Sequence, residues 1–502
     1  MESVAAVPGV KIEGWLEHSS VRAAGGGRRD TGARTTVPVP DVLQAHRPAS
    51  DGASDGPSDG PPPASVDLLL DLTSEGVPAP VPWAREVWHF AYGNDLGRDP
   101  DRAALVGYIR SPGTVLVALV SEPSGDIVRD GWLQAVSWWT GNPLERLLTD
   151  PGDWPAAAAR RRLDPGHSHD VLPASVPADD QRDRRSPPVA AMPQSLLEVA
   201  AVGRRIRGFV DVLTRHPDWN IGLIDAPIEQ VAGLEVPSVT WLPLRRDHFA
   251  ADPFGIEREG ILHVFFEDYD QSTARGVIGH LAVAANGTVS EPEVVLDPGV
   301  HASYPFLVEY QGTVFMLPEV SAAGELVLYE AVEFPSRWRP VATLLPGVPA
   351  ADATIVEFEG RWWMFATRAD RGANQNLFLW HALTPMGPWE PHALNPVKTD
   401  ARSARPAGTP FTAGGRLHRP SQDNSRIYGG RVVVNRVEIL TPGDFVERRV
   451  GFVQPWPGSP YPDGLHTLSA VGGRTLIDGN RRHLVKSVLR LNIESKLPRR
   501  TP

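Results

Sequence analysis

The chain has 502 residues, 41% of them hydrophobic, with 50 prolines and 47 glycines, a make-up that suits a sizeable core cut by many turns rather than long helices. A net charge of −11 argues against a dedicated nucleic-acid binder, and the complete lack of cysteine excludes disulfides, thiol catalysis and Cys-ligated zinc. No run of about 18 apolar residues signals a membrane span, and the opening MESVAAVPGVKIEGW lacks the basic-then-apolar pattern of a signal peptide, so a cytoplasmic location is expected.

Residues 1–65 close on ASDGASDGPSDGPPPAS, a composition that cannot bury enough apolar surface to offset the entropy of ordering; disorder is expected, with a short ordered stretch around 10–16. Residues 66–163 read as a small α/β unit. VDLLLDLTSE and REVWHFAYG are apolar strands, GYIRS and TVLVALVSE follow, and LQAVSWWTGNPLERLLTDP has helical spacing. Residues 164–193 are a polar, proline-rich linker, and residues 194–237 hold an amphipathic helix, SLLEVAAVGRRIRGFVDVLTRH, and a connection.

From 238 to 485 the texture changes to short strands broken by Gly, Pro and Asn, and a repeat can be aligned. Gly260, Gly312, Gly360, Gly415 and Gly473 each open an apolar or polar-ended strand (GILHVFFED, GTVFMLPEV, GRWWMFATR, GRLHRPSQD, GRTLIDGNR). Their spacing of roughly 50 to 60 residues is the scale of a four-stranded propeller blade, and each glycine supplies the freedom a tight hairpin turn needs. Eight residues before the glycines stand Asp252, Tyr304, Asp352, Ala407 and Leu465; seven after stand Glu267, Glu319, Thr367, Gln422 and Asn480, all polar. The fold expected is mainly β: a five-bladed β-propeller behind a small N-terminal α/β region and a disordered N-terminus, with 486–502 as a tail; a β-sandwich is the alternative.

In such a fold the starts of the inner strands meet at an axial funnel. Asp252, Asp352, Glu267 and Glu319 are the candidate catalytic carboxyls, since glycoside chemistry needs an acid and a base or nucleophile in one site. Each Asp is equally readable as a turn or cap residue bonding its own backbone. The fourth repeat, SARPAGTPF then RLHRPSQDNSRIYGG, offers Arg405 and Arg419 to grip an anionic or hydroxyl-rich ligand, with Gln422 and Asp423 taking hydroxyls, or else to neutralise Asp252, Asp352 and Glu319 internally. Tyr304 and His466 complete the candidate binding set. Trp362 and Trp363 point to opposite faces of one strand, and Asn286-Gly287-Thr288 reads as a hairpin turn. No cofactor motif and no metal-ligand spacing is present.

The ordered set DPFG, SYPF-x-x-E, DATIVEFEGRWWMF, GPWEPHALNPV, RPAG, RPSQD, YGG and HTLSAVGGRTLIDG resembles the N-terminal domain of plant glucosamine inositolphosphorylceramide transferases, which also occurs in bacterial proteins behind a formyltransferase-like region. The resemblance implies a propeller similar to the arabinanase, levansucrase and invertase superfamily, and a carbohydrate-related role. In those enzymes an inner-strand Asp of the first blade and a second Asp of a middle blade belong to the site; Asp252 and Asp352 are comparable, while no Glu here matches their catalytic acid. VDLLLDLT, VWHFAYG, the WPAAAARR stretch and DWNIG are similar to the later part of a formyltransferase-like domain whose Asn-x-His element has no counterpart here, so formyl transfer is not expected. The expected partner is a small sugar or sugar phosphate, bound and turned over, with a non-catalytic binding or scaffold module as the other reading. Asp252 would be base or nucleophile, Asp352 would orient the sugar, Glu319 or Glu267 would be the acid, and Arg405 and Arg419 would hold an anionic group.

Overall fold

The computed structural model describes residues 66–71, 84–109, 113–135, 147–163, 192–231, 238–243, 248–456 and 458–484; the stretches read as disorder (1–65), as tail (486–502) and, nearly all of it, as linker (164–193) lie outside the described residues. The N-terminal unit is a mixed sheet. Val66–Asp71 runs parallel to Ala84–Tyr92, which pairs antiparallel with Thr114–Glu122, itself antiparallel to Asp126–Gln134. TVLVALVSE is an unbroken apolar run because it is buried almost throughout. The helix Pro100–Ile109 lies so close above it that a Cβ on Gly107 would come within 2.3 Å of Val115. Trp88, Leu119, Leu133 and Trp154 centre this core. The helix expected from Leu133 onward starts differently: Leu133 and Gln134 finish the strand Asp126–Gln134, held by pairing to Val115 and Thr114, and 136–146 lie outside the described residues.

The rest is mainly β, five antiparallel sheets in a propeller-like arrangement. The first runs through His248–Arg258, Ile261–Asp270, Arg275–Val283 and Glu293–Leu296; the second through Ser303–Tyr310, Thr313–Glu319, Leu326–Glu333 and Arg337–Leu345. The third contains Ala350–Phe358, Arg361–Arg368, Asn376–Ala382 and Glu390–Pro391, with Lys398–Thr399 pairing beside it; the fourth contains Phe411–Ala413, Arg416–Asp423, Arg431–Leu440 and Phe445–Val453. The fifth joins the two ends of the region: Leu468–Val471 and Arg474–Leu484 pair onward to Arg215–Ile224 and Val239–Trp241.

That fifth sheet corrects the boundary drawn at 238. DWNIG belongs to the strand Arg215–Ile224, not to a connection and not to the N-terminal unit, because the long strand Arg474–Leu484 pairs with it over ten residues. Gly479 is mid-strand, paired with Asn220; a Cβ on it would fall 2.4 Å from the Trp241 ring.

The repeat glycines do turn the first hairpin of their sheets. Glu259-Gly260, Gln311-Gly312, Glu359-Gly360 and Gly414-Gly415 all have positive φ at both residues, as a two-residue type I′ turn requires. Trp362 and Trp363 separate as alternation demands: Trp362 packs with Tyr310 and Trp380 in one core cluster, Trp363 with Leu377 and Leu417 in the next. Gly287 turns a hairpin in which Ala284 N donates to Thr288 O. Among the described residues no helix is long and apolar enough to cross a membrane.

Candidate ligand site

Asp252, Tyr304 and Asp352 share more than an offset. Each sits at a register shift in its sheet and has a left-handed backbone, with φ of 51°, 46° and 51°. A bulge with a non-glycine residue in this region costs free energy and re-aims the side chain. Two of the three have their amides captured by a carboxylate of another sheet. Asp252 N donates to Asp478 Oδ2 at 3.2 Å, and Asp352 N to Glu319 Oε2 at 3.1 Å.

Two ionic groups result. In one, Arg405 forks onto Asp352 (Nε to Oδ2, 2.6 Å; Nη2 to Oδ1, 3.1 Å), reaches Glu319 at 3.4 Å, and donates from Nη1 to Asn374 Oδ1 at 3.2 Å. Gln422 Nε2 also donates to Asp352, at 2.7 Å, and Ser321 Oγ donates to Glu319 at 3.1 Å. In the other, His466 Nδ1 makes a very short ion pair with Asp478 and lies 3.7 Å from Asp252, whose Oδ1 also accepts from Thr467 Oγ1 at 2.9 Å. Asp478 Oδ1 collects the amides of His466 and Thr467. Trp219 stacks on the His466 ring at 4.1 Å, and the half-exposed Tyr428 meets it edge-on while lying over Arg405. Asp252, His466 and Asp478 offer ligand atoms within 4.8 Å of one another, a spacing a cation can use.

Burial and charge divide the protons. Burial pushes Asp252 up to about 6, against the pull of His466. Burial, then Asp352, push Glu319 up to about 8, against Arg405. Burial, with Asp252 next, holds Glu267 well above the usual carboxylate range. Burial disfavours charge on His466, but Asp478 and Asp252 raise it to about 9; Asp478, despite its burial, is held low by that imidazolium. At neutral pH Glu319 is therefore mostly protonated while His466 is a cation beside an ionised Asp478.

The other expected residues stand as follows. Glu267 feels the charges of Asp252, His466, Glu319 and Asp352, with His301 Nε2 at 3.4 Å from its Oε1. The fully buried hydroxyl of Tyr304 is 2.9 Å from Thr354 Oγ1 and accepts from Gly408 N at 2.7 Å; it ties the second and third sheets to the segment leading into the fourth. Asp423 holds its own loop, accepting from Ser425 and from Arg431 Nε at 2.8 Å. Arg419 departs from the expected ligand grip: it is buried, forked onto Glu447 at 2.9 and 2.7 Å, and donates to the carbonyls of Ser403 and Ala404. Glu447, also bound by Lys398, claims it because a carboxylate buried there must be paired.

Sequence reasoning missed Asp478, Thr467, Trp219, Tyr428 and Asn374. Asp478 lies inside the strand run GRTLIDGNR, off the offsets that align the repeats, and Tyr428 in SRIYGG is likewise off them. Two cavities of about 90 and 80 Å³ lie elsewhere, one between Ile127–Asp130 and residues 394–399 and 445–447, the other among residues 92–116.

A family model described as glucosamine inositolphosphorylceramide transferase 1, N-terminal, matches residues 243–457. The glucosamine inositolphosphorylceramide transferase 1 of Arabidopsis thaliana is 36% identical over 211 residues, 41% of this chain and 28% of that protein. Its namesake in Oryza sativa subsp. japonica is 34% identical over 242 residues, 47% and 31%. The match thus spans less than a third of these relatives' length. Among solved structures, a family 117 glycoside hydrolase from Zobellia galactanivorans shares 12% identity at a TM-score of 0.34, covering 48% of this chain and 87% of that one. The catalytic domain of a Coprinopsis cinerea GH62 alpha-L-arabinofuranosidase shares 13% at 0.35, covering 52% and 97%. Likenesses this slight carry no argument.

Proposed function

We propose that the five sheets close into a five-bladed propeller that binds a sugar at its axis, and that the carboxyl groups there can move protons on it. Closure is supported by the fifth sheet, which contains both ends of the region, and by the parallel bridge from Gly408 to Leu468 that joins the fourth repeat to the fifth. The observation that carries the functional reading is the convergence of Asp252, Glu319 and Asp352 from three sheets with Arg405 and His466 from the segments leading into the fourth and fifth, with their protons unevenly held. Carboxyls pushed apart in this way are the pattern of acid–base pairs. Asp252 takes the role of base or nucleophile, Asp352 orients, and Glu319 or Glu267 supplies the proton. The similarity of residues 243–457 to part of proteins named for glucosamine and inositolphosphorylceramide supports a carbohydrate-related ligand.

The charge balance narrows the ligand. Arg405 is already paired with Asp352 and reaches Glu319, and His466 is paired with Asp478. A site whose cations are already taken holds a phosphate weakly and suits neutral hydroxyls or an ammonium group, so the anion-gripping role first read for Arg405 gives way to one of holding Asp352. The test is a thermal-shift screen of the full chain against neutral sugars, amino sugars, sugar phosphates and nucleotide sugars. A neutral or amino sugar should raise the Tm by mass action, and Asp252→Asn and Glu319→Gln should abolish the rise. No shift with any compound, or one untouched by both substitutions, would end the reading.

A second reading, sugar binding without turnover, is favoured by one observation: Arg405 locks both Asp352 and Glu319, and their side chains are only 2% and 11% exposed. Product analysis on a sugar that binds separates the two. Nothing comparable favours formyl transfer by residues 66–163, where the cavity at residues 92–116, about 80 Å³, falls below the roughly 300 Å³ of small-molecule sites.

A further inference from the structure

We propose that the N-terminal α/β unit is a working part of the ligand site, bracing it through Gln134. The functional meaning rests on the reading of the axis as a ligand site; the brace itself is physical and can be tested without a ligand.

The seam between the unit and the third and fourth sheets is close. Trp132 bridges in parallel to Asp400, Ala401 N donates to Trp132 O at 2.8 Å, and a Cβ on Gly131 would lie 2.5 Å from Thr399 O. Arg402 lies 4.3 Å from the Trp132 ring centre, Trp154 Nε1 donates to Thr399 Oγ1 at 3.2 Å, and Arg371 pairs with Asp153 at 2.7 Å. Contact this tight leaves little room for one body to slide on the other.

Gln134 ends the edge strand and reaches both loops that flank the ionic site. Its amide donates to Gln375 Oε1 at 2.8 Å, and its side-chain Nε2 donates to Asn424 O at 2.5 Å. Each contact is a short step from the centre. Gln375 follows Asn374, the acceptor for Arg405, and Asp150 of the N-terminal unit takes the Gln375 amide. Asn424 donates to Gln422, which donates to Asp352, and Asn424 Oδ1 accepts the amide of Gly429, next to Tyr428. One residue of the first unit thus fixes the loops that hold both ends of the Arg405–Asp352 pair. Gln134 is a positioning residue, acting through Gln375 and Asn424.

The experiment is hydrogen exchange with mass spectrometry on the full chain, comparing wild type with Gln134→Met and Gln375→Met. Gln134→Met keeps the backbone donor to Gln375 and removes only the bond to Asn424; Gln375→Met removes the other arm and the bond to Asp150 with it. Loss of one such bond should speed local exchange about five-fold, in 423–431 for the first variant; loss of two should speed it at least as much in 371–376 for the second, with the strands of the fifth sheet unchanged. Any sugar that stabilises the wild type should bind Gln134→Met about five-fold more weakly, with the Tm of the free chain lowered by no more than about 2–4 °C. If the wild type binds no sugar, the functional reading fails while the exchange data still decide the brace. Unchanged exchange in both loops, or acceleration spread evenly over all sheets, would overturn it.

Discussion

Replacing Arg405 by methionine should turn the best-neutralised part of the site into its most costly. Asp352 is 2% exposed in its side chain and draws two bonds from Arg405 and one from Gln422. Without the guanidinium, the carboxylate stays buried with a single side-chain donor. Removing one partner of a buried pair costs about 3–5 kcal/mol. At about 2–4 °C per kcal/mol for a domain of 150–250 residues, the Tm should fall by about 6–20 °C at pH 8. The double variant Arg405→Met/Asp352→Asn removes both charges and should recover most of the loss. Thermal unfolding at pH 8 reads both. A single variant within about 2 °C of wild type at pH 8, or a double variant no better than the single, would refute the claim that Arg405 exists to neutralise Asp352.

The wild-type chain should lose stability between about pH 5 and pH 9. His466, raised to about 9, contributes stability that is complete below about 6.5 and lost as pH rises through 9; the raised values of Asp252 and Glu319 act in the same direction through about 6 and about 8. A Tm profile flat over this range would contradict the assignment, and Glu319→Gln should flatten its upper part. Tyr304→Phe should cost about 1–3 kcal/mol in denaturant unfolding, because the amide of Gly408 loses its buried acceptor. Arg419→Met should lower the Tm yet leave sugar affinity intact, since Glu447 keeps Lys398 and the axis keeps all its members; a change in affinity at full folding would return Arg419 to the site.

Much of the fold was legible because the repeat rests on backbone needs that leave a mark in the sequence. A type I′ hairpin asks for glycine, so Gly260, Gly312, Gly360 and Gly415 could be lined up, and an offset of eight residues from them found Asp252, Tyr304 and Asp352, which share one unusual backbone conformation. Alternation did the same for Trp362 and Trp363. The fifth sheet was not legible, because its strands come from opposite ends of the region and no local pattern in DWNIG announces a partner 262 residues away, the separation of Asp218 from Asn480.

The site divides along the same line. Positions set by the hairpin offset were found, and Arg405 and His466 were nominated from their local motifs, whereas the acid that pairs with His466 was not. Asp478 lies five residues after Gly473, off the inspected offset, and is fixed there by what surrounds it: two amides, an imidazolium and the amide of Asp252. Arg419 shows the converse. Its sequence setting, Arg-Pro like Arg405, promised the same role, but the two arginines differ in which acid stands within reach. Glu447, contributed by a strand of the same sheet two turns of chain away, captures one; Asp352, from a neighbouring sheet, captures the other. A buried arginine goes to the nearest buried carboxylate because neither can remain unpaired, and that pairing is decided by the assembled sheets, so dipeptide context could nominate both residues but could not separate the strut from the site.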